Sequence, residues 1–202
     1  MKKFELTSEF VTNTFGVKLF RIKALIEFGD VKAGELGGYI EKEENLSQYG
    51  DAWVCGNAKV YGNAKVYGDA KVYGDAKVYG DAWVYGDAWV CGDAKVCGDA
   101  KVYGNAEVYG DAEVYGDAWV CGNAWVCGDA DYTYISGFGR LHRTTTFFRT
   151  KTGEVGVRCG CFYGTLEEFR KKVRETHGES KTAKEYLVIA DLMELHFEEE
   201  KA

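Results

Sequence analysis

From Tyr49 to Tyr132 the chain repeats one arrangement of polar and apolar positions every six residues. The unit [Tyr/Cys]-Gly-[Asp/Asn]-Ala-X-[Val/Tyr] recurs fourteen times without a gap, X being Lys, Trp, Glu or, once, Asp. Self-similarity at a fixed short period predicts a solenoid. Within a unit, Ala and Val share one side of a short strand, and X and the Tyr or Cys share the other. X is often charged, so its side faces water and Ala and Val face inward; Tyr and Cys belong outside. Gly supplies the positive φ of a sharp corner, and the following Asp or Asn side chain is suited to accept from nearby backbone amides.

Three units make a triangular coil, and two would make a flat one. A small residue at every second inward position favours the narrow triangle. Stacked at about 4.8 Å, the triangular coils put Trp53, Lys71, Trp89, Glu107 and Trp125 in one column. Lys65, Trp83, Lys101 and Trp119 fall in a second, and Lys59, Lys77, Lys95, Glu113 and Asp131 in the third. The segment 51–86 is nearly copied in 87–122, which explains why Trp returns at every sixth unit.

The flanks read differently. Residues 1–48 alternate loosely, as in VKLFRIKALIEF, and predict a small β cap over the first coil, whose open strands would otherwise stay unpaired. Residues 133–202 predict an α+β domain: a hairpin of RTTTFFRT and VGVRCGCF about the turn Lys151-Thr152-Gly153-Glu154, then two helices. The first opens on the capping box Thr165 to Glu168 and ends near His177 with Gly178 beyond it. The second is capped by Ser180 and runs through Phe197, with Ala183, Leu187, Ala190 and Met193 or Glu194 on one stripe.

The repeat resembles the hexapeptide-repeat family, in which an aliphatic residue is followed four positions later by a small one, here Val54 to Ala58 through Val126 to Ala130. The resemblance implies a mainly β fold, a left-handed parallel β-helix of triangular 18-residue coils. The flanks FGDVKAGELGGYIEKEENLSQYGDAWV (28–54) and RTTTFFRTKTGEVGVRCGCFYGTLEEFRKKVRETHG (143–178) are similar to small repeat proteins of bacteria and their phages, usually labelled transferases on the strength of the repeat alone. Prisms of the family associate side by side as trimers. That implies a homotrimer here, with Trp53, Trp83, Trp89, Trp119 and Trp125 as its interface; cover by the chain's own terminal segments is the alternative.

Charge narrows the reading. The net charge of −7 resides in the repeat, where 6 lysines meet 13 acidic residues. A coat for a phosphate backbone would need the opposite sign. No run of 18 apolar residues and no apolar stretch behind MKKFELTSEF suggest a membrane span or leader, so a cytoplasmic protein without a membrane partner is expected. The repeat cysteines lie too far apart along each face to bridge, and seven free thiols fit a reducing compartment. The corner aspartates read as turn chemistry, because calcium solenoids use a nine-residue glycine-rich repeat.

Catalytic chemistry is sparse. Hexapeptide-repeat acyltransferases use a histidine base at the cleft between prisms, but His142, His177 and His196 all lie outside the repeat. Cys159 and Cys161 are too few and too closely spaced for a zinc site; no catalytic residue, metal or cofactor is expected. The hairpin concentrates Arg140, His142, Arg143, Thr145, Phe147, Arg149 and Arg158, whose forks, hydroxyl and aromatic face suit an anionic, nucleotide-like ligand. Those arginines would equally suit docking onto the acidic prism. The function this favours is a non-enzymatic scaffold or binding protein, a phage or prophage counter-defence accessory that sequesters such a ligand or blocks a host protein. An acyl-CoA-dependent acyltransferase and a structural assembly component are the alternatives.

Overall fold

A computed structural model describes residues 2–198. The repeat folds as a parallel β-solenoid of about five coils with three sheets along its sides. Each rung pairs with the rung three units further on, as in Trp53 with Lys71, Lys65 with Trp83 and Lys77 with Lys95, so the coil is the triangular one. Rungs are mostly two residues long, because each unit supplies only X and Val between corners. Every alanine and valine from Ala52 to Val126 is buried. A methyl beside an isopropyl suits the narrow interior.

The corners explain the glycines. Gly86 holds φ +70°, and a Cβ there would meet the Gly104 amide nitrogen of the next coil at 3.0 Å. The Asp and Asn amides continue the ladder, as when Asp69 N donates to Gly86 O at 2.9 Å. Their side chains mostly point outward; only a few, such as Asp69 Oδ1 accepting from Asp51 N at 3.0 Å, take a backbone amide.

The solenoid starts earlier than its clean repeat. The strand Leu36–Ile40 pairs in parallel with Lys59–Val60, and Leu46 bridges to Val66, each offset being two positions longer than the three units that separate later rungs. Two extra residues between Leu46 and Val54 break the phase and hide this coil, although Ile40 and Leu46 keep the spacing of six. The cap is an antiparallel hairpin, Phe4–Thr12 with Lys18–Ala24, added to the edge of Leu36–Ile40. It folds over Trp53, which is 3% exposed between Phe4 and Phe28, ring centroids 6.4 and 5.3 Å away. Lys3 is buried with it. Its Nζ donates to Gly50 O and Ala52 O at 3.1 and 2.9 Å, and desolvation lowers its pKa from 10.5 to about 8 against the pull of Asp51 and Asp69.

At the other end the fourteenth unit leaves the solenoid. Asp129–Asp131 forms a turn of 3-10 helix, Ala130 is exposed, and Asp131 does not join the Lys59 column. Its carboxylate instead accepts the amides of Cys127 and Gly128, both at 3.0 Å, and pairs with Arg149 at 3.3 Å. A four-stranded antiparallel sheet follows in chain order: Tyr132–Phe138, Arg143–Arg149, Val155–Cys159 and Phe162–Thr165. It closes the last coil, since Thr146 Oγ1 accepts from Trp119 N at 2.9 Å and Tyr132 OH donates to Glu113 O at 2.6 Å.

Helices α1 (Leu166–His177) and α2 (Lys181–Phe197) cover the far side of this sheet. Thr165 and Glu168 form the capping box, Gly178 holds φ +56°, and Ser180 accepts from Ala183 N. The inner stripe of α2 is wider than the sequence suggested. Tyr186, Ile189 and Phe197 are buried with Ala183, Ala190 and Met193, whereas Leu187 is half-buried. Among the described residues no helix is long and apolar enough to cross a membrane.

Candidate functional site

A cleft with a volume of about 940 Å³ lies where the C-terminal sheet overhangs the solenoid face carrying Trp83, Lys101 and Trp119. The duplication makes Lys and Trp alternate up this face, and each wet indole meets a cation from the next coil. Lys65 Nζ lies 5.8 Å from the Trp83 ring centroid, and Lys101 Nζ lies 5.3 Å from Trp83 and 4.5 Å from Trp119. The Arg158 guanidinium then sits 5.3 Å from Trp119, the place the next lysine of the ladder would take. Cation–π contacts therefore hold the rings within the column. Beside them the tyrosines stack, Tyr67 on Tyr85 and Tyr85 on Tyr103 at 4.8 Å.

Along the corner of this face runs a row of carboxylates, Asp81, Asp99 and Asp117, and the overhanging turns add Arg143, Thr144, Gly160 and Cys161. The cleft is thus polarised. Guanidinium groups converge at the end nearest the C-terminal sheet, and carboxylates line one edge below. Arg158 Nη1 is held by the carbonyls of Cys161 and Phe162 at 3.3 and 3.4 Å, and its buried Nε has no hydrogen-bond partner among the described residues. Neither Arg143 nor Arg158 forms an ion pair among the described residues.

The seven hairpin residues singled out above are not brought together. Only Arg143 and Arg158 line the cleft. Phe147 is packed against Phe169, centroids 6.2 Å apart, and Thr145 is buried with its hydroxyl on Cys159 Sγ at 3.1 Å, so neither offers a surface to a ligand. The alternation of the Arg143–Arg149 strand explains both, because Thr145 and Phe147 point to the helix-covered side. Arg149 is used structurally, donating to Phe197 O at 3.0 Å as well as to Asp131. Arg140 and His142 stand in the exposed turn before that strand, where His142 holds φ +47° and its Nδ1 lies 2.9 Å from Gly137 O.

The tryptophans also divide. Trp53 is sealed by the N-terminal cap and has no surface for a second subunit, which corrects its place in the expected interface. Trp83 and Trp119 belong to the cleft, and Trp89 and Trp125 remain exposed on their own face. Cys121, expected outside, is buried, and burial raises its pKa. The thiols are free. No third ligand joins Cys159 and Cys161 among the described residues, and none of the three histidines lines the cleft.

Column arithmetic already brings Trp83, Lys101 and Trp119 together. That Arg158 continues their ladder, and that Arg143 and Thr144 overhang it, has no signature in the sequence, since it depends on how the C-terminal sheet sits on the last coil. No protein-family model matches the chain, and no curated protein matches it.

Proposed function

We propose that this chain is a non-catalytic binding protein whose solenoid is a rigid base and whose cleft at Arg143 and Arg158 takes an anionic, nucleotide-like molecule. The observation that carries the reading is the pair of guanidiniums without carboxylate partners among the described residues at one end of this cleft, although a row of aspartates runs along it. Arg forks with the Thr144 hydroxyl suit a phosphate. The carboxylate row below suits the amino groups of a base, while Trp83 offers ring edges rather than free faces. A ligand anionic at one end and hydrogen-bond donating at the other fits this polarity.

The Val-to-Ala spacing supports kinship with hexapeptide-repeat proteins, and the flanks support a phage or prophage accessory that withdraws a host nucleotide or blocks a host protein. Calorimetry with purine and pyrimidine nucleotides tests the reading. Binding by the wild type and at least a tenfold loss on Arg143→Ala are expected, equivalent to about 1.4 kcal/mol. No heat from any nucleotide would remove it.

A homotrimer is the second reading, supported by Trp89 and Trp125, which stay 41% and 42% exposed on one face. Trp89→Ser with Trp125→Ser should then reduce a threefold mass to the monomer's in native mass spectrometry.

A further inference from the structure

Four corner residues stack beside the Lys–Trp ladder of the cleft: Asn63, Asp81, Asp99 and Asp117, each one coil above the last. The three aspartates line the cleft. Stacked carboxylates repel one another. At the far end of the row this is relieved, because Asn63 Nδ2 donates to Asp81 Oδ1 at 3.1 Å. Asp99 and Asp117 form no ion pair among the described residues. Lys101, on the same face, is spent instead on the rings of Trp83 and Trp119. Asp99 stands in the second copy of the duplication where Asn63 stands in the first. The fold therefore accepts an amide at this corner and does not itself demand the carboxylate.

We propose that Asp99 and Asp117 make the cleft select nucleobases that carry an exocyclic amino group, cytosine and adenine, over their oxo counterparts, uracil and hypoxanthine. This selection, which rests on the nucleotide reading, follows from the chemistry of the corner. With the phosphate on Arg143, Arg158 and Thr144, the base lies down the carboxylate row. An ionised carboxylate only accepts hydrogen bonds. Neighbouring rungs are about 4.8 Å apart, so an amino nitrogen set between the two carboxylates reaches both at ordinary hydrogen-bond length. It gives one hydrogen to each, and such charge-assisted bonds are the strong kind. An oxo group in the same place turns its lone pairs toward two negative oxygens and satisfies neither. Uracil keeps one ring N–H, but it stands between two carbonyl oxygens, and turning it to one carboxylate brings a carbonyl toward the other.

Calorimetry of the full chain with cytidine against uridine 5′-monophosphate, and adenosine against inosine 5′-monophosphate, tests the selection. Each pair shares its sugar and phosphate and differs only at the exocyclic group and the ring nitrogen beside it. The amino member should bind about tenfold more tightly or better. Asp99→Asn and Asp117→Asn should each bring that ratio down to about threefold or less, chiefly by tightening the oxo member, to which an amide can donate. Both variants carry the residue that Asn57, Asn63, Asn105 and Asn123 already place at corners, and unchanged circular dichroism verifies that they fold. Amino and oxo members bound alike would overturn the selection and leave the nucleotide reading standing. So would a preference that survives both substitutions, since its source would lie elsewhere. No heat from any of the four nucleotides would remove the nucleotide reading and the selection with it.

Discussion

Gly86→Ala would ask an L-residue to hold φ +70° and would press its methyl on the Gly104 amide nitrogen at 3.0 Å, backbone that the stacked coils leave little room to move. The left-handed conformation alone costs about 1–2 kcal/mol, and the contact adds to it. Denaturant unfolding of Gly86→Ala should therefore show a loss of about 2 kcal/mol. Gly128→Ala is the control: Gly128 is extended, with nothing within 4 Å of a Cβ, so a change within about 0.5 kcal/mol is expected. The contrast was half legible. The repeat assigns both glycines the same role, and only the departure of Asp129–Asp131 from the solenoid separates them.

Lys3 is the other informative single residue. Its folded pKa of about 8 lies below the ordinary 10.5. Between those values the unfolded chain binds more protons, and stability rises with pH across that window. Melting temperature should climb from pH 8 toward pH 9, above which the raised thiols of Cys55, Cys121 and Cys127 oppose it. Lys3→Met should lose that climb and be less stable throughout, because the carbonyls of Gly50 and Ala52 lose their donor. A wild-type melting temperature that falls from pH 8 to 9 would contradict this.

Among elements, the N-terminal cap and the Trp ladders hold in different ways, and tryptophan substitutions read them apart. Trp53 is a core residue between Phe4 and Phe28, so Trp53→Ala should cost about 3–5 kcal/mol and release the cap to proteolysis first. Trp89 keeps a contact with Tyr73, centroids 6.3 Å apart, and a lysine 6.0 Å from its ring. Trp89→Ala should cost no more than about 1–2 kcal/mol. Equal destabilisation in urea titrations would show that the cap does not seal Trp53. The sequence foresaw a cap but gave Trp53 the same wet surface as its copies, because a six-residue period treats every unit alike. The cover comes from residues 4–31, which have no period. Both C-terminal helices were legible to within a residue, since caps and Gly178 are local chemistry.

At the scale of the whole molecule the tyrosine columns set an alkaline limit. Tyr73 and Tyr109 are pushed up to about 12, chiefly by desolvation, and Tyr79 and Tyr103 are raised further. Above pH 10 the folded chain holds protons that the unfolded chain gives up, and stability falls as pH rises. Together with Lys3 and the raised thiols of Cys55, Cys121 and Cys127, this predicts maximum stability near pH 9 and a steep loss above about pH 10, seen in thermal melts from pH 7 to about pH 12. The architecture as a whole was readable because the coils from Trp53 to Val126 obey one rule. The cleft was not, because it forms where a periodic and a non-periodic part meet.

The near-identity of 51–86 and 87–122 gives that architecture a further property. Two coils comprise six units and return both the same face and the same Lys–Trp alternation. An unequal crossover or polymerase slippage between the copies would shorten or lengthen the solenoid by two coils, about 10 Å, without turning the C-terminal sheet around the axis or removing Arg158 from the top of its ladder. Gain or loss of one or two units would rotate the sheet onto another face and dismantle the cleft. Variation in length by steps of two coils would therefore keep the two ends of the protein intact and in register.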